Sequence, residues 1–227
     1  MLDSSRDRIL ARLGDDDRVL DVGAWAYPFP RADWVLDLLP HATRGLYYYD
    51  RETAVENFTA ETWVQRDICA RDPWPFSDDQ FDFAICSHTL EDVRDPVHVC
   101  SELSRVARAG YIEVPSRLEE HSLGVHGPWA GWSHHHWLCE VSDGRLDVVF
   151  KTHAIHHPPE FHFPAGFQPT LSESERVLQL WWEGAVECRE QIHTQAETLD
   201  AYLRDFVAAH AGRPGAQHAP QRRRGRR

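Results

Sequence analysis

The chain has 227 residues, with 36 acidic against 24 basic side chains, a formal charge of -12 and a pI near 5.6. That length buries a core for one domain without disulfide or metal staples, and the acid excess repels a phosphate backbone, which excludes nucleic acid as the main partner. The opening MLDSSRDRILARL is too charged for a secretory signal, and no apolar run approaches the roughly 20 residues of a membrane span, so a cytoplasmic protein without membrane contact is expected.

Arg6 to Leu13 has helical spacing and ends at Gly14, and the acidic run Asp15 to Asp17 leads into a strand at Val19 to Val22. After Gly23, Pro28 and Pro30 deny a helix its backbone donors, so the connection to a second strand at Trp34 to Leu38 reads as loop. Residues 40 to 62 are ambiguous: the triplet Tyr47 to Tyr49 reads equally as a short strand or as a substrate wall. A third short strand, Trp63 to Arg66, ends at Asp67, and a turn at Ser77 to Gln80 precedes the apolar strand Phe81 to Cys86. Asp95-Pro96 gives an N-cap and first-turn proline to a helix carrying Val99, Cys100, Leu103, Val106 and Ala107 at helical spacing. Tyr111 to Val114 is the next strand.

Trp137 to Val141 and Leu146 to Phe150, joined by Ser142-Asp143-Gly144, read as an antiparallel hairpin. Ser172 to Ile192 and Gln195 to His210 read as two helices. The fold class is therefore α/β, a Rossmann-like doubly wound sheet, mostly parallel, with an antiparallel terminal hairpin and C-terminal helices. The expected division is an N-terminal helix (1–14), the α/β domain (15–152), a His/Pro-rich connection (153–170), a helical extension (171–211) acting as a cap or homodimer arm, and a disordered basic tail (212–227). The five cysteines, Cys69, Cys86, Cys100, Cys139 and Cys188, form no CxxC pair and read as reduced, mostly buried thiols.

The segment VLDVGAWAYPFPRADWVLDL resembles the first two strands of class I S-adenosylmethionine-dependent methyltransferases of the type 11-like family, with Asp21 and Gly23 in the places of the family's VLDxGxGxG turn. RDICARDPWPFSDDQFDFAICSHTLEDVRDP is similar to that family's D-x-x-x-L-P-F-x-D-x-S-F-D stretch and its following L-E-H. The resemblance implies S-adenosyl-L-methionine as cofactor, bound by Asp21, Gly23, Ala24, Trp25, Asp37, Asp67, Ile68, Ser87 and His88. In it, Asp37 holds the ribose hydroxyls, Asp67 lies where the adenine amino group binds, and the 87–91 loop approaches the methionine part. Only Gly23 of the usual glycines is present. Ala24, Trp25 and Tyr27 bring side chains into that space, so either the cofactor sits in a reshaped pocket walled by Trp25 and Tyr27 or the domain no longer binds it.

Fifteen histidines are present, many between His121 and His162. Pairing of the hairpin would bring His134 to His136 close to His153 to His157, and strand alternation would put His134 and His136 on one face without His135. Three uses stay open: a general base, a transition-metal site completed by Glu113, Glu119 or Glu120, and a polar stacked rim. Trp129, Trp132 and Trp137 read as core or lid aromatics. The leading expectation is a methyltransferase acting on a small-molecule substrate, with His88, His134, His136 and Glu113 as catalytic candidates. The alternative is a methyltransferase-like fold whose histidines bind a transition metal for other chemistry.

Overall fold

The computed structural model describes residues 1–46, 49–50 and 52–218. Helix α1 (Asp3–Arg12) leads into β1 (Val19–Val22), followed by β2 (Trp34–Asp37), β3 (Trp63–Gln65) and β4 (Phe83–Ser87). Helix α2 (Pro96–Val106) then crosses to β5 (Ala109–Pro115), and the four-residue helix α3 (Arg117–Glu120) follows directly. β6 (Trp137–Ser142) and β7 (Arg145–Phe150) form the hairpin. Its two-residue turn, Asp143-Gly144, has φ 51° and 76°, the left-handed pair that a tight hairpin demands. The chain ends with α4 (Glu173–Arg176), β8 (Val177–Glu183), β9 (Glu187–Glu190) and α5 (Ala196–Ala209).

The main sheet has the order β3-β2-β1-β4-β5-β8, parallel except for β8, which runs antiparallel along β5 from Ala109↔Glu183 to Pro115↔Val177. Strand order therefore reverses between β1 and β4, the switch point of a doubly wound sheet. Val19, Leu20, Val22, Val35, Leu36 and Ile85 are fully enclosed, so both faces of the central strands are covered. On one face lie α2, Trp74 and Phe76; on the other lie α1, Phe29, Ala32 and Phe58, supplied by loops. No helix lies between β1 and β2: the Pro-rich segment folds as turns, and Phe29 and Ala32 take the place of a crossover helix.

Two expectations from the sequence are corrected. The hairpin does not extend the main sheet; β6 and β7 join β9 in a separate sheet of order β6-β7-β9. Its inner face, with Cys139, Leu146 and Val148, packs on the main core, and its outer face, with Leu138 and Val149, packs on Leu199, Tyr202 and Leu203 of α5. The helix expected over Ser172 to Ile192 is only four residues long. Ser172 and Glu175 do form a reciprocal capping box, but the chain then enters β8, where Leu180 and Trp182 fill one face of the main sheet and Trp181 meets Tyr111 on the other. VLQLWWE matches a helical and a strand template equally, and the open edge of β5 decides between them.

Helix α5 is held by its own chain. Arg117 is buried, donates to Glu140 and to the Tyr202 carbonyl, and lies 3.8 Å and 4.0 Å from the ring centroids of Tyr202 and Phe206. Of the expected disordered tail, residues 212–218 instead pack on the body: Ala216 is buried near Phe167, and the His218 ring bonds the His162 carbonyl. Residues 219–227, with the basic run, lie outside the described residues, as do Tyr47 and Tyr48 of the tyrosine triplet. All five cysteines are free, four of them buried. Among the described residues no helix is long and apolar enough to cross a membrane.

Candidate active site

A cleft of about 980 Å³ opens at the carboxyl ends of the parallel strands, where an open α/β sheet leaves a crevice beside its switch point. Each strand delivers side chains as it ends: Gly23 and Trp25 after β1, Asp37 and Leu38 at β2, Asp67 and Ile68 after β3, His88 and Thr89 after β4. The far wall is the loop Trp132 to His136 with Glu91, Asp92, Glu119 and Arg176.

Gly23 adopts φ 72°, and a Cβ there would lie 2.2 Å from the Thr89 methyl, so this position requires glycine on both conformational and steric grounds. Thr89 Oγ1 donates to the Gly23 carbonyl at 3.2 Å, tying the first turn to the loop after β4. Asp37 is buried, and its carboxylate accepts the Trp25 N–H at 2.8 Å and the Leu39 N–H at 2.7 Å. Burial nevertheless pushes its pKa above the ordinary carboxylate value. Asp67 accepts the Cys69 N–H and an Arg94 N–H, which hold it ionised below its usual range in spite of partial burial.

His88, at φ 53°, is a non-glycine residue in the left-handed region, held there by the hydrogen bond its backbone N–H donates to the Glu113 carbonyl at 2.8 Å. Its ring lies between two buried carboxylates, Glu113 Oε1 at 3.2 Å from Nε2 and Glu91 Oε1 at 3.5 Å from Nδ1. Burial by itself would lower the imidazole pKa, but the two carboxylates outweigh it and raise the value to about 9. His88 is therefore an imidazolium at neutral pH. It presents a positive charge to the cleft, with its ring nitrogens facing Glu113 and Glu91, and takes up no proton there.

Not every candidate read from the sequence reaches the cleft. Glu113 is fully enclosed behind His88, accepting the Leu2 N–H at 3.0 Å and the Tyr111 hydroxyl at 2.5 Å. Burial works against its ionisation, yet His88 and Tyr111 bring its pKa down to about 2. Asp21 accepts the Phe29 N–H at 2.8 Å, bracing the Pro-rich loop, and burial pushes its pKa up to about 7. Ala24 is packed among core residues, and the Ser87 hydroxyl is buried without a hydrogen-bond partner. Trp25 lines the cleft, but Tyr27 turns away from it and packs edge-on to Tyr49 at 5.3 Å.

The histidines separate into two sets. His121, His156 and His162 bond backbone groups (the Phe161 carbonyl, the Ala130 amide and the Phe163 carbonyl), and His153 to His157 do not join the cleft wall. His134, His135 and His136 do line it. The pairing expected within the triplet is corrected, because the chain turns at 133–134 and enters β6 only at Trp137. His134 and His135 come together, with ring centroids 4.7 Å apart, rather than His134 and His136. Asp92 and Arg94 are cleft residues that the sequence did not single out as site groups. The only signal for Asp92 was its place directly after Leu90-Glu91.

Residues 46–112 match the model of a family described as a methyltransferase domain. That stretch is similar to a methyltransferase domain. The match covers β3, β4, α2 and most of β5, and it begins beyond the Gly23 turn. Comparison with curated proteins finds no match. Among solved structures the chain is similar to the YcgJ protein of Bacillus subtilis, with 19% identity over 50% of this chain and 51% of that one, TM-score 0.38. It is also similar to a SAM-dependent methyltransferase of Aquifex aeolicus, with 18% identity, 49% and 64% coverage and TM-score 0.36. A third is an S-adenosylmethionine-dependent methyltransferase of Mesorhizobium loti, with 16% identity, 64% and 62% coverage and TM-score 0.36. The chain thus spans less than two thirds of each of these structures.

Proposed function

We propose that the cleft binds S-adenosyl-L-methionine and that the protein transfers its methyl group to a small-molecule nucleophile. The observation that carries this reading is the convergence of Gly23, Asp37, the Asp67-Ile68 pair and the His88-Thr89 loop on one crevice at the strand ends, within a chain whose residues 46–112 match a methyltransferase-domain model. The donor set fits the cofactor: Asp37, fixed by two backbone N–H groups, offers acceptors for a vicinal diol, Asp67 offers an acceptor for an amino group, and Leu38 and Ile68 offer apolar surface to a ring. Bound there, S-adenosylmethionine would supply an electrophilic methyl on a sulfonium.

The chain's own work is to hold and orient. Glu91, Asp92 and Glu119 bring carboxylates to the far end of the cleft beside Arg176, and His88 brings a positive charge. The nucleophile must lose its proton, and among the described residues His134 and His136 are the cleft imidazoles with no hydrogen bond to a carboxylate. A cleft of this size on a strongly acidic protein suits a small molecule.

The test is calorimetric titration and thermal shift with S-adenosylmethionine and S-adenosylhomocysteine. One equivalent is expected to bind the native chain, and Asp37→Ala should weaken binding at least about tenfold by removing a bidentate acceptor, worth about 1.5–3 kcal/mol. No heat and no shift with the native chain overturns the reading.

A further inference from the structure

The wall of the cleft facing the Gly23 turn carries a second arrangement, which methyl transfer does not require. Asp92, His134 and His135 each direct one ligand atom into a volume in which all three lie within 4.8 Å of one another. Asp92 Oδ1 is 3.9 Å from Nε2 of His134 and 3.9 Å from Nε2 of His135. The orientation of His135 is fixed from behind. Its Nδ1 lies 2.7 Å from Oε1 of Glu120, a fully buried carboxylate whose other oxygen accepts Lys151 Nζ at 2.5 Å. A carboxylate accepts only, so in the neutral ring the hydrogen resides on Nδ1 and the lone pair on Nε2 faces Asp92.

The loop is built to keep this geometry. Gly131 adopts φ 61°, and a Cβ there would lie 2.4 Å from Glu120 Oε2 and 2.7 Å from the Glu120 carbonyl, so only glycine lets the chain pass this close. Trp132 stacks between His135 and His126, with ring centroids 5.9 Å and 5.7 Å away and interplanar angles of 30° and 28°. Glu91, 1% exposed and lining the same cleft, faces the His88 ring at 3.5 Å and adds negative charge next to Asp92 in the chain.

We propose that Asp92, His134 and His135 form a three-ligand site for a first-row divalent transition metal of the zinc class. In it, Glu120 orients His135, and the remaining coordination position opens into the cleft. Two imidazoles and one carboxylate are the donor set of open metal sites, and a carboxylate hydrogen-bonded to the outer nitrogen of a ligating histidine is their usual support. Ligand atoms around one such ion stand ~3.3–3.5 Å apart, so each 3.9 Å separation between Asp92 and a histidine needs to shorten by about half an ångström, and Asp92 and His134 both lie on exposed turns. The site stands whether or not S-adenosylmethionine binds. An ion on His134 would occupy the nitrogen that otherwise accepts a proton, so the two uses of that ring exclude each other.

The experiment titrates untagged full-length chain with Co²⁺, read by visible absorption, and with Zn²⁺, read by calorimetry and by elemental analysis after dialysis. One equivalent with a tetrahedral or five-coordinate cobalt spectrum is expected. His134→Ala, on an exposed turn, and Asp92→Asn should each abolish the stoichiometric site with unchanged circular dichroism. Glu120→Gln should weaken it by about 10–100-fold, whereas His153→Ala and His157→Ala should leave it intact. Less than about a tenth of an equivalent in the native chain, or binding that survives both His134→Ala and Asp92→Asn, overturns the site and assigns any bound metal to scattered surface histidines. S-adenosylhomocysteine binding measured on the same samples keeps this outcome separate from the cofactor reading.

Discussion

Gly23 and His88 carry the two local strains of the cleft. Gly23→Ala sets a Cβ at φ 72° against Thr89, and left-handed backbone and overpacking together are expected to cost about 2–4 kcal/mol, measured as a lowered denaturation midpoint at unchanged m. His88 has a folded pKa raised to about 9 above an unfolded value near 6.5, so the native state binds more protons between these values. Its contribution to stability is therefore complete below about pH 6.5 and lost as pH rises through about 9. His88→Asn, which tolerates φ 53°, should lower the thermal midpoint most at pH 6, with the gap to the native protein narrowing by pH 10. A gap independent of pH would contradict the ion pairing. The sequence identified both residues by motif order, but not the reason His88 is charged. Glu113 lies 25 positions away and reaches it only because β5 is laid beside β4.

At the scale of elements, the helix most legible in the sequence is also the best capped. Asp95 accepts the His98 N–H at 3.0 Å and Pro96 occupies the first turn of α2, so Asp95→Ala should cost about 1 kcal/mol in chemical denaturation. The strands were legible for the same kind of reason: short apolar runs bounded by Asp, Pro and Gly leave little choice. β8 was not. Local sequence at Ser172 to Glu175 starts a helix, and the antiparallel pairing with β5 ends it after four residues by burying Leu180 and Trp182. A central-strand glycine makes that pairing possible, since a Cβ at Gly110 would meet the Ala84 carbonyl at 2.4 Å and the Trp182 ring at 2.5 Å.

Across the whole molecule, the stack runs from the main sheet through the hairpin sheet to α5, and Arg117 is the clamp between the last two layers. Arg117→Ala removes the ion pair to Glu140, leaving it the Tyr202 hydroxyl at 3.3 Å, together with the bond to the Tyr202 carbonyl and the contact with two aromatic rings, at an expected cost of about 2–4 kcal/mol. Hydrogen exchange should show α5 opening before the central strands in that variant; uniform loosening would place the clamp elsewhere.

By itself the sequence determined what depends on near neighbours: the order of strands, the capped helix, the Pro-rich connection too short for a helix, and the acidic groups at strand ends. Only the tertiary structure decided what depends on residues far apart in the chain. It placed β8 on the sheet edge, paired His88 with Glu113, and turned the histidine loop so that His135 rather than His136 joins His134. Periodicity records which way a side chain leaves its own backbone, whereas a buried charge takes its value from groups that folding brings within 3 or 4 Å of it.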